Sequence, residues 1–572
     1  MDTPRPASPH TPASAGRFTP LLQREGGRLV GGAGVVFFAF FVLQWALARA
    51  KPLAAPEYRE APSLLWATLL ASPSLVVGTA ACLIAFARTH TRTWSRLPTE
   101  AQWLRIPMVA ALAAVAWHLG TVDANWALGR TFGLDRVVLV VLAVAAAFHP
   151  AFLVAFAFAA RAFMRQFEAF FYFAWLDTLP VLHLMLVVFA WAALYGFPAP
   201  KWLDASGRWR VPVGSAWAVA LGVLGAWYFG PGWGKVAIGW LWESNVAFMM
   251  RGAFEQHGLW AWLGAERFAV LAGWVERASP LLQALTLVAE VGVVLFCWSR
   301  RVTIGILALC AGMHLGIFAT TGIFFWKWVS LLAGLIAAFA LMGQRRWDET
   351  LPRRPAMAAV LLALAAFATF GPKTALAWYD SPFVYRFHVE VTGESGTRYE
   401  AVPATFAPFD SRFAQGHFYY LTETNRIADC FGSVRDYEAY CRLREATTPE
   451  EVRRVVAENG VSQTSEQRRR QLERFLRRFM ASTHERVGEQ EAPWYKAPLH
   501  IRTGQRYDAT LPLYAFQEPI ERLEMELVER HYFGGAYRVV NRERVLDVRW
   551  PEEEGGGGGI SARSTPATTP PE

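Results

Sequence analysis

Ionisable side chains inside long apolar segments are the residues of this sequence best suited to chemistry. In a bilayer such side chains cost several kcal/mol unless they are paired or solvated, with about 2.5 to 3.5 kcal/mol for Lys, Arg or Asp on insertion scales. They are therefore the default candidates for function. The chain has few of them: His118, His149, Asp177, His183, Lys235, Glu290, His314 and Lys327.

Lys235 lies in an unusual local sequence, because residues 230–234 contain three glycines and a proline. Small residues there let a neighbouring helix or a ligand approach closely. A lysine held away from water favours its neutral amine, which is a candidate general base. The alternative is a lysine near a helix end whose amine reaches the membrane interface. A phosphate-binding loop is excluded, because the glycine spacing is one residue short and Val236 stands where Ser or Thr is needed.

The other ionisable residues complete or stand apart from this candidate site. His183 lies on the apolar run before the one with Lys235. The two side chains therefore share a cavity if these adjacent runs pack as neighbours. The alternative is a hydrogen-bonded structural histidine. Glu290 and His314 either complete a polar cluster with Lys235 or bond across helices. Lys327, flanked by two tryptophans, is predicted to be an interfacial anchor.

Two further histidines and the five cysteines carry less chemistry. His118 and His149 are assigned no role. Three of the cysteines lie in apolar runs, where a thiol usually behaves as a small hydrophobe. Cys430 and Cys441 lie in the polar C-terminal part, and a disulfide between them is left open. We see no cluster of metal ligands, and no metal is expected.

The composition identifies the elements that must position these residues. Of the 572 residues, 53% are hydrophobic and 18% are charged, whereas soluble domains carry about 25% charged residues. An ordinary soluble enzyme is therefore excluded. Apolar runs long enough to span a bilayer, or nearly so, cover residues 29–49, 63–87, 106–121, 136–160, 169–196, 212–242, 280–298, 302–322, 324–343 and 354–371. A further stretch, 259–274, is predicted to be an interfacial helix.

The arginines predict how the chain sits in the membrane. Only six of the 56 cations are lysine, and the arginines concentrate in short loops, which favour the cytoplasmic side. These loops place the N-terminus inside and the C-terminal part outside, so the number of crossings is odd and about nine spans are expected. The net charge of +9 then reflects orientation and does not indicate a nucleic acid partner.

Composition changes abruptly after residue 372. The alternating stretch 385–391 predicts a strand, and the spacing of apolar residues in 449–481 predicts at least one amphipathic helix. The predicted fold is an α-helical polytopic membrane bundle followed by a mainly β (α+β) exoplasmic domain. The predicted parts are a disordered tail (1–26), the membrane domain (27–372), the β-rich domain (373–551) and a flexible Gly/Ser/Pro tail (552–572).

The pattern around Lys235 resembles that of the vitamin K-dependent gamma-carboxylase family, whose membrane part is the horizontally transferred transmembrane (HTTM) domain. The likeness covers most of residues 30–420. It rests on Tyr228 to Val236 with Trp240-Leu241, on Leu287 to Phe296 with its single acid Glu290, on Ser299-Arg300-Arg301, Met313-His314-Leu315 and Ser330, and past the membrane on Ser381-Pro382-Phe383 and His388 to Glu400.

The resemblance implies an activity and roles for single residues. In that family a membrane lysine deprotonates reduced vitamin K, O2 then adds, and the strong base that forms abstracts a glutamate γ-proton before CO2 adds. Lys235 matches this lysine, and His183 matches a histidine that assists carboxylation, although Val181 and Leu182 replace the usual polar or Trp neighbours. The residues implied at the cofactor site are Tyr228, Gly232, Trp233, Glu290 and His314.

Three hypotheses follow for the function. The first is a quinol-dependent carboxylase in the inner membrane of a bacterium, with reduced vitamin K (menaquinol or phylloquinol), O2 and CO2 as co-substrates and a glutamate-containing peptide or protein as substrate. The second is a non-carboxylating HTTM protein that acts as a peptide or toxin maturation factor or as a partner-binding membrane subunit. The third, a transporter, is disfavoured because the sequence shows no repeat symmetry.

Overall fold

The computed structural model describes residues 25–51, 72–89, 93–129, 132–170, 177–195, 197–198, 208–209, 211–243, 245–372, 382–414, 437–459, 466–488, 495–501 and 506–551. Over these residues the protein is mostly helical, with a small antiparallel sheet near the C-terminus. The predicted tails lie outside the described residues, apart from residues 25 and 26.

Helices make up the part before residue 373. They are α1 (Glu25–Ala48), α2 (Pro73–Thr89), α3 (Thr99–Thr121), α4 (Phe132–Phe148), α5 (Phe152–Phe170), α6 (Leu179–Leu194), α7 (Val213–Ala237), α8 (Val246–His257), α9 (Gly264–Val291), α10 (Arg300–Thr321), α11 (Trp326–Met342), α12 (Gln344–Thr350) and α13 (Arg353–Phe370). Short helical turns lie at Trp94–Arg96, Asn125–Leu128, Trp240–Glu243, Ala261–Leu263 and Gly292–Leu295, and Phe197–Pro198 pairs with Arg208–Trp209.

Several of these helices are suited to crossing a bilayer. Within the described residues, six are long and apolar enough, in α1, α3, α7, α9, α10 and α13, and a seventh span results if α11 and α12, bent by 104°, are taken together. Helices α2 and α6 are apolar but shorter. These helices indicate an integral membrane protein, as predicted. The odd number of crossings and the orientation stay predictions.

Two predicted segment boundaries are wrong. The run 136–160 is not one helix: it breaks at residues 149–151, where His149 Nδ1 accepts a hydrogen bond of 3.1 Å from the Ala151 amide. The segments 259–274 and 280–298 are not separate, because α9 continues through Pro280. Its first half is held against α8 by a stacked pair, Phe254 and Phe268, whose ring centroids are 4.0 Å apart.

Helix α7, which carries Lys235, lies at the centre of the bundle. It packs against α1, α6, α9 and α13, and nearly all of its residues as far as Tyr228 are buried. Its neighbour in the site, α10, has clear end signals: the Ser299 hydroxyl accepts a hydrogen bond from the Val302 amide, and Gly322 ends the helix at a φ of 75°. Helix α7 is thus closely packed, and both ends of α10 are well defined.

The C-terminal part combines a sheet with helices. Its elements are β1 (Phe383–Gly393), β2 (Arg398–Glu400), α14 (Tyr437–Glu445), α15 (Pro449–Asn459), α16 (Glu466–Thr483), β3 (Ile520–Phe533) and β4 (Ala536–Arg549), with short turns at Pro403–Phe406 and Asp410–Ala414. The sheet order is β2-β1-β3-β4, and all pairs are antiparallel. The predicted strand and the amphipathic helical character of 449–481 are confirmed. The exoplasmic placement stays a prediction.

Among the described residues, the contacts between the C-terminal part and the bundle include side-chain packing and an extended segment. Trp126 packs edge-on against Phe475 and Phe479 of α16. The segment 495–501 lies across the ends of α3, α10 and α11: Trp117 Nε1 donates to the Tyr495 carbonyl at 2.7 Å, and the Phe324 amide donates to the His500 carbonyl at 2.7 Å. We call residues 495–501 the strap.

Candidate functional site

Lys235 and Glu290 form a buried ion pair between α7 and α9. The Lys235 ammonium donates to both carboxylate oxygens of Glu290, at 2.6 and 2.8 Å. The two residues are 6% and 5% exposed. A buried charge is tolerated only when it is paired and hydrogen-bonded, so each of these two charges compensates the desolvation cost of the other. The structure therefore brings together two of the residues that the sequence analysis selected.

Gly232 allows the two helices to approach at this point. A Cβ atom added to Gly232 would lie 2.7 Å from the Glu290 Cβ and 3.3 Å from its carbonyl carbon. Contacts under 3.0 Å do not occur between real Cβ atoms, so no other residue fits here without moving a helix. The glycine-rich sequence before Lys235 thus serves the helix contact that places Glu290 against the lysine.

A second polar pair lies on the same face of α7. Tyr228 OH and His314 Nε2 of α10 share a hydrogen bond of 2.8 Å, and both residues are buried. Tyr228 precedes Lys235 by seven residues, which puts the two side chains on one helix face about 10 Å apart along the axis. Trp328 of α11 packs against both rings, with centroids 5.1 Å from Tyr228 and 5.0 Å from His314.

His183 is buried among aromatic rings and is not brought next to Lys235. Its ring lies 5.6 Å from that of Trp227, 5.9 Å from that of Phe40 and 5.5 Å from that of Phe367. Helices α6 and α7 do pack as neighbours, as expected. However, Trp227 precedes Lys235 by eight residues, a helical rise of about 12 Å. The expected shared cavity of His183 and Lys235 therefore does not appear among the described contacts.

Trp233 also departs from its expected place at the cofactor site. Its side chain is 59% exposed on the outer surface of the bundle and stacks on Phe229, with centroids 6.2 Å apart. Since Gly232 faces Glu290, the next residue on the helix is rotated by about 100° away from the pair. Trp233 is thus suited to contact lipid.

The aromatic groups between Tyr228 and His183 contain unpaired polar atoms. In the part of the chain that the structure describes, His314 Nδ1, Trp328 Nε1, Trp227 Nε1 and His183 Nδ1 are buried and have no hydrogen-bond partner. A buried polar atom without a partner costs about 1 to 3 kcal/mol. Four such atoms in neighbouring rings therefore indicate a place where a polar ligand or water binds.

A second buried charge cluster was missed by the sequence analysis. The prediction that Lys327 is an interfacial anchor is wrong. Its side chain is 1% exposed and pairs with Asp177, with Nζ 2.8 Å from Oδ2. His500 of the strap approaches the same oxygen to 3.6 Å. The available signal was that Asp177 and Lys327 are opposite charges in apolar runs, which is a pattern that favours pairing.

The remaining predicted or open assignments concern metals and cysteines. Among the residues that the structure describes, no three His, Cys, Asp or Glu side chains are placed to hold a metal ion. Cys82, Cys297 and Cys310 are buried thiols, as predicted. Cys430 lies outside the described residues, so the disulfide with Cys441 stays open.

Comparison with known proteins identified no similar protein. No protein-family model, no curated protein and no solved structure matches this chain.

Proposed function

We propose that the chain is a membrane enzyme that uses reduced vitamin K, O2 and CO2 to carboxylate glutamate side chains in a peptide or protein. The observation that carries the proposal is the ion pair of Lys235 and Glu290, buried between two helices that can span a bilayer. A pair of charges held there at a cost in desolvation is a candidate for proton transfer.

The pairing refines the role expected for Lys235. While the lysine is held as an ammonium, the carboxylate of Glu290 is the proton acceptor of the pair. Lys235 then supplies the positive charge that stabilises an anion formed beside it. We therefore assign base chemistry to the pair as a unit. Exclusion of water by the surrounding helices protects such chemistry from side reactions.

The unpaired polar atoms lie about 10 to 12 Å along α7 from the pair, at the level of Trp227 and Tyr228, and they fit the ring of a hydroquinone. Such a molecule has an aromatic ring and two hydroxyl groups, and the bundle offers buried rings together with unpaired nitrogens on His314, Trp328 and Trp227. The Tyr228 hydroxyl is within hydrogen-bonding distance of His314 and can orient its ring. When bound, reduced vitamin K supplies the weakly acidic hydroxyl and the electrons that reduce O2.

The test is a reconstituted assay. Purified protein in vesicles containing menaquinol is given bicarbonate, O2 and a glutamate-rich peptide, and mass spectrometry measures the mass gain of the peptide and the quinone epoxide. Both products support the proposal, provided that Lys235→Ala removes them in protein that stays folded. Epoxide without carboxylated peptide indicates quinol chemistry with another acceptor. If neither product forms in protein shown to bind the quinol, the carboxylase proposal is wrong and the peptide maturation factor is favoured.

A further inference from the structure

A cavity separate from the candidate site lies beside the first three turns of α3. Its volume is about 560 Å³, within the range of about 300 to 1,000 Å³ found for small-molecule sites. It lies between the helical turn Trp94–Arg96 and α3. Because α3 is one of the candidate spans, this end of the helix lies at a membrane boundary.

The lining of the cavity changes in character along α3. Ser95, Thr99 and Gln102 line one end together with the ring of Trp94, and the apolar side chains of Ile106 and Val109 line the other. From Thr99 to Val109 the helix rises about 15 Å. The cavity is therefore polar at the membrane boundary and apolar one to two turns deeper, which matches the order of headgroup and acyl chain in a lipid.

The middle of the cavity offers donors to an anion. Arg105 lines it and uses only Nε in a hydrogen bond, to the Ala147 carbonyl at 3.0 Å. No described carboxylate lies within ion-pair distance of this guanidinium, so its remaining N–H groups can donate to a ligand. Trp103 Nε1 is buried and has no hydrogen-bond partner in the described part of the chain.

We propose that this cavity binds one anionic phospholipid. Arg105 and the Trp103 N–H hold the phosphate, since a guanidinium is well suited to phosphate oxygens. The rest of the headgroup lies toward Thr99, and an acyl chain follows Ile106 and Val109. A soluble phosphate would leave the apolar end of the cavity unfilled, whereas a neutral lipid would not compensate the charge of Arg105. The site is independent of quinol chemistry.

The experiment maps a lipid on the full-length protein. The protein is reconstituted in phosphatidylcholine vesicles with a photoactivatable phosphatidylglycerol whose acyl chain carries a diazirine, and cross-linked residues are identified by mass spectrometry. We expect labelling to concentrate in residues 94–109 and to be competed by phosphatidylglycerol but not by phosphatidylcholine. Trp103→Phe, which removes the N–H and keeps an aromatic ring, and Arg105→Gln are each expected to reduce labelling several-fold.

Matched variants and competitors keep the result decisive. Trp274→Phe and Arg277→Gln change exposed residues of α9 and should leave labelling of 94–109 unchanged. Labelling spread evenly over all spans, equal labelling by a phosphatidylcholine probe, or full labelling of folded Trp103→Phe protein would each overturn the proposal. Displacement of the probe by inorganic phosphate would also overturn it, because it would identify a site for a free anion.

Discussion

Lys327 and Asp177 face each other at the starts of α11 and α6, with Nζ 2.8 Å from Oδ2 and side chains that are 1% and 5% exposed. The same carboxylate oxygen lies 3.6 Å from Nδ1 of His500 in the strap. An ion pair inside the helical part is therefore also a contact for a segment that belongs to the C-terminal part. Its charges connect the two parts of the chain.

Removal of the Asp177 charge is expected to loosen the strap. In Asp177→Asn the Lys327 ammonium stays buried without its counter-charge, and His500 loses its charged neighbour. Breaking a buried pair in this way costs about 3 to 5 kcal/mol, and we expect much of that cost to appear as local opening. A lysine-specific protease should then cleave after Lys496 several times faster, which mass spectrometry of the fragment beginning at Ala497 measures.

The control for this experiment is Asp348→Asn, which changes an exposed carboxylate of α12. It should leave cleavage after Lys496 at the wild-type rate. Unchanged cleavage in Asp177→Asn would mean that the backbone hydrogen bonds of the strap, and not the charges, hold it in place.

The Lys235 and Glu290 pair is expected to behave as a unit in stability measurements. Lys235→Met leaves a buried carboxylate, and Glu290→Gln leaves a buried ammonium, so each single change should lower stability by about 3 to 5 kcal/mol. The double variant buries neither charge and should recover part of this loss. Thermal unfolding of the detergent-solubilised protein measures the three differences, and a double variant as unstable as the sum of the singles would contradict the pairing.

The same variants separate stability from activity. If the proposed function is right, the double variant is folded but forms no quinone epoxide, because both the proton acceptor and its counter-charge are gone. Epoxide formation by the folded double variant would remove the pair from the mechanism.

Gly232→Ala is expected to disturb the site through packing alone. The new methyl group would lie 2.7 Å from the Glu290 Cβ, and neither atom can turn away, so α7 and α9 must separate by some tenths of an ångström. We expect a lower melting temperature and a loss of activity with all charged groups retained. Gly273→Ala in α9 is the control: its Cβ would meet nothing within 4 Å, so alanine should raise helix stability by up to about 1 kcal/mol. A Gly232→Ala protein as stable as the control would contradict the close approach.

Sequence patterns predicted the positions of the helices in the chain better than they predicted how far neighbouring helices are shifted along one another. Hydrophobic length identifies the ends of α10 and α13 to within two residues and those of α1 to within four, because the bilayer sets the length of a span. It does not separate α4 from α5, since the break at His149 depends on a local hydrogen bond. Nor does it join the two halves of α9, where the polar residues Glu276 and Ser279 bond to Arg251 and to the Val246 amide of α8.

The sequence was sufficient to select residues of the candidate site, but it predicted only some of the contacts between them. Lys235 and Glu290 were selected because isolated charges in apolar runs need partners. The level at which His183 meets α7 depends on how far α6 is shifted along its neighbour, and one sequence contains no signal for that shift. Lys327 was misassigned because flanking tryptophans are typical of interfaces, while its partner lies 150 positions earlier in the chain.

Glu529 on β3 is expected to make stability depend on pH. Burial raises the pKa of its carboxyl to about 7, with a smaller raising contribution from the charge of Glu543 and an opposing hydrogen bond from Asn541. The folded protein therefore keeps this proton at pH values where the unfolded chain has lost it. Stability from this group is fully present below its ordinary pKa of 4.5 and falls as the pH rises through about 7.

Glu529→Gln keeps the size of the side chain and its hydrogen bond to Asn541 but cannot ionise. We expect the variant to gain stability relative to the wild type as the pH rises, by about 2 kcal/mol between about pH 5 and pH 8. Melting temperatures of the detergent-solubilised proteins at several pH values measure this trend. Glu438→Gln, a change at an exposed carboxylate, should shift the melting temperature equally at every pH. A Glu529→Gln protein whose difference from the wild type is the same at pH 5 and pH 8 would mean that this carboxylate is solvated in the folded sheet.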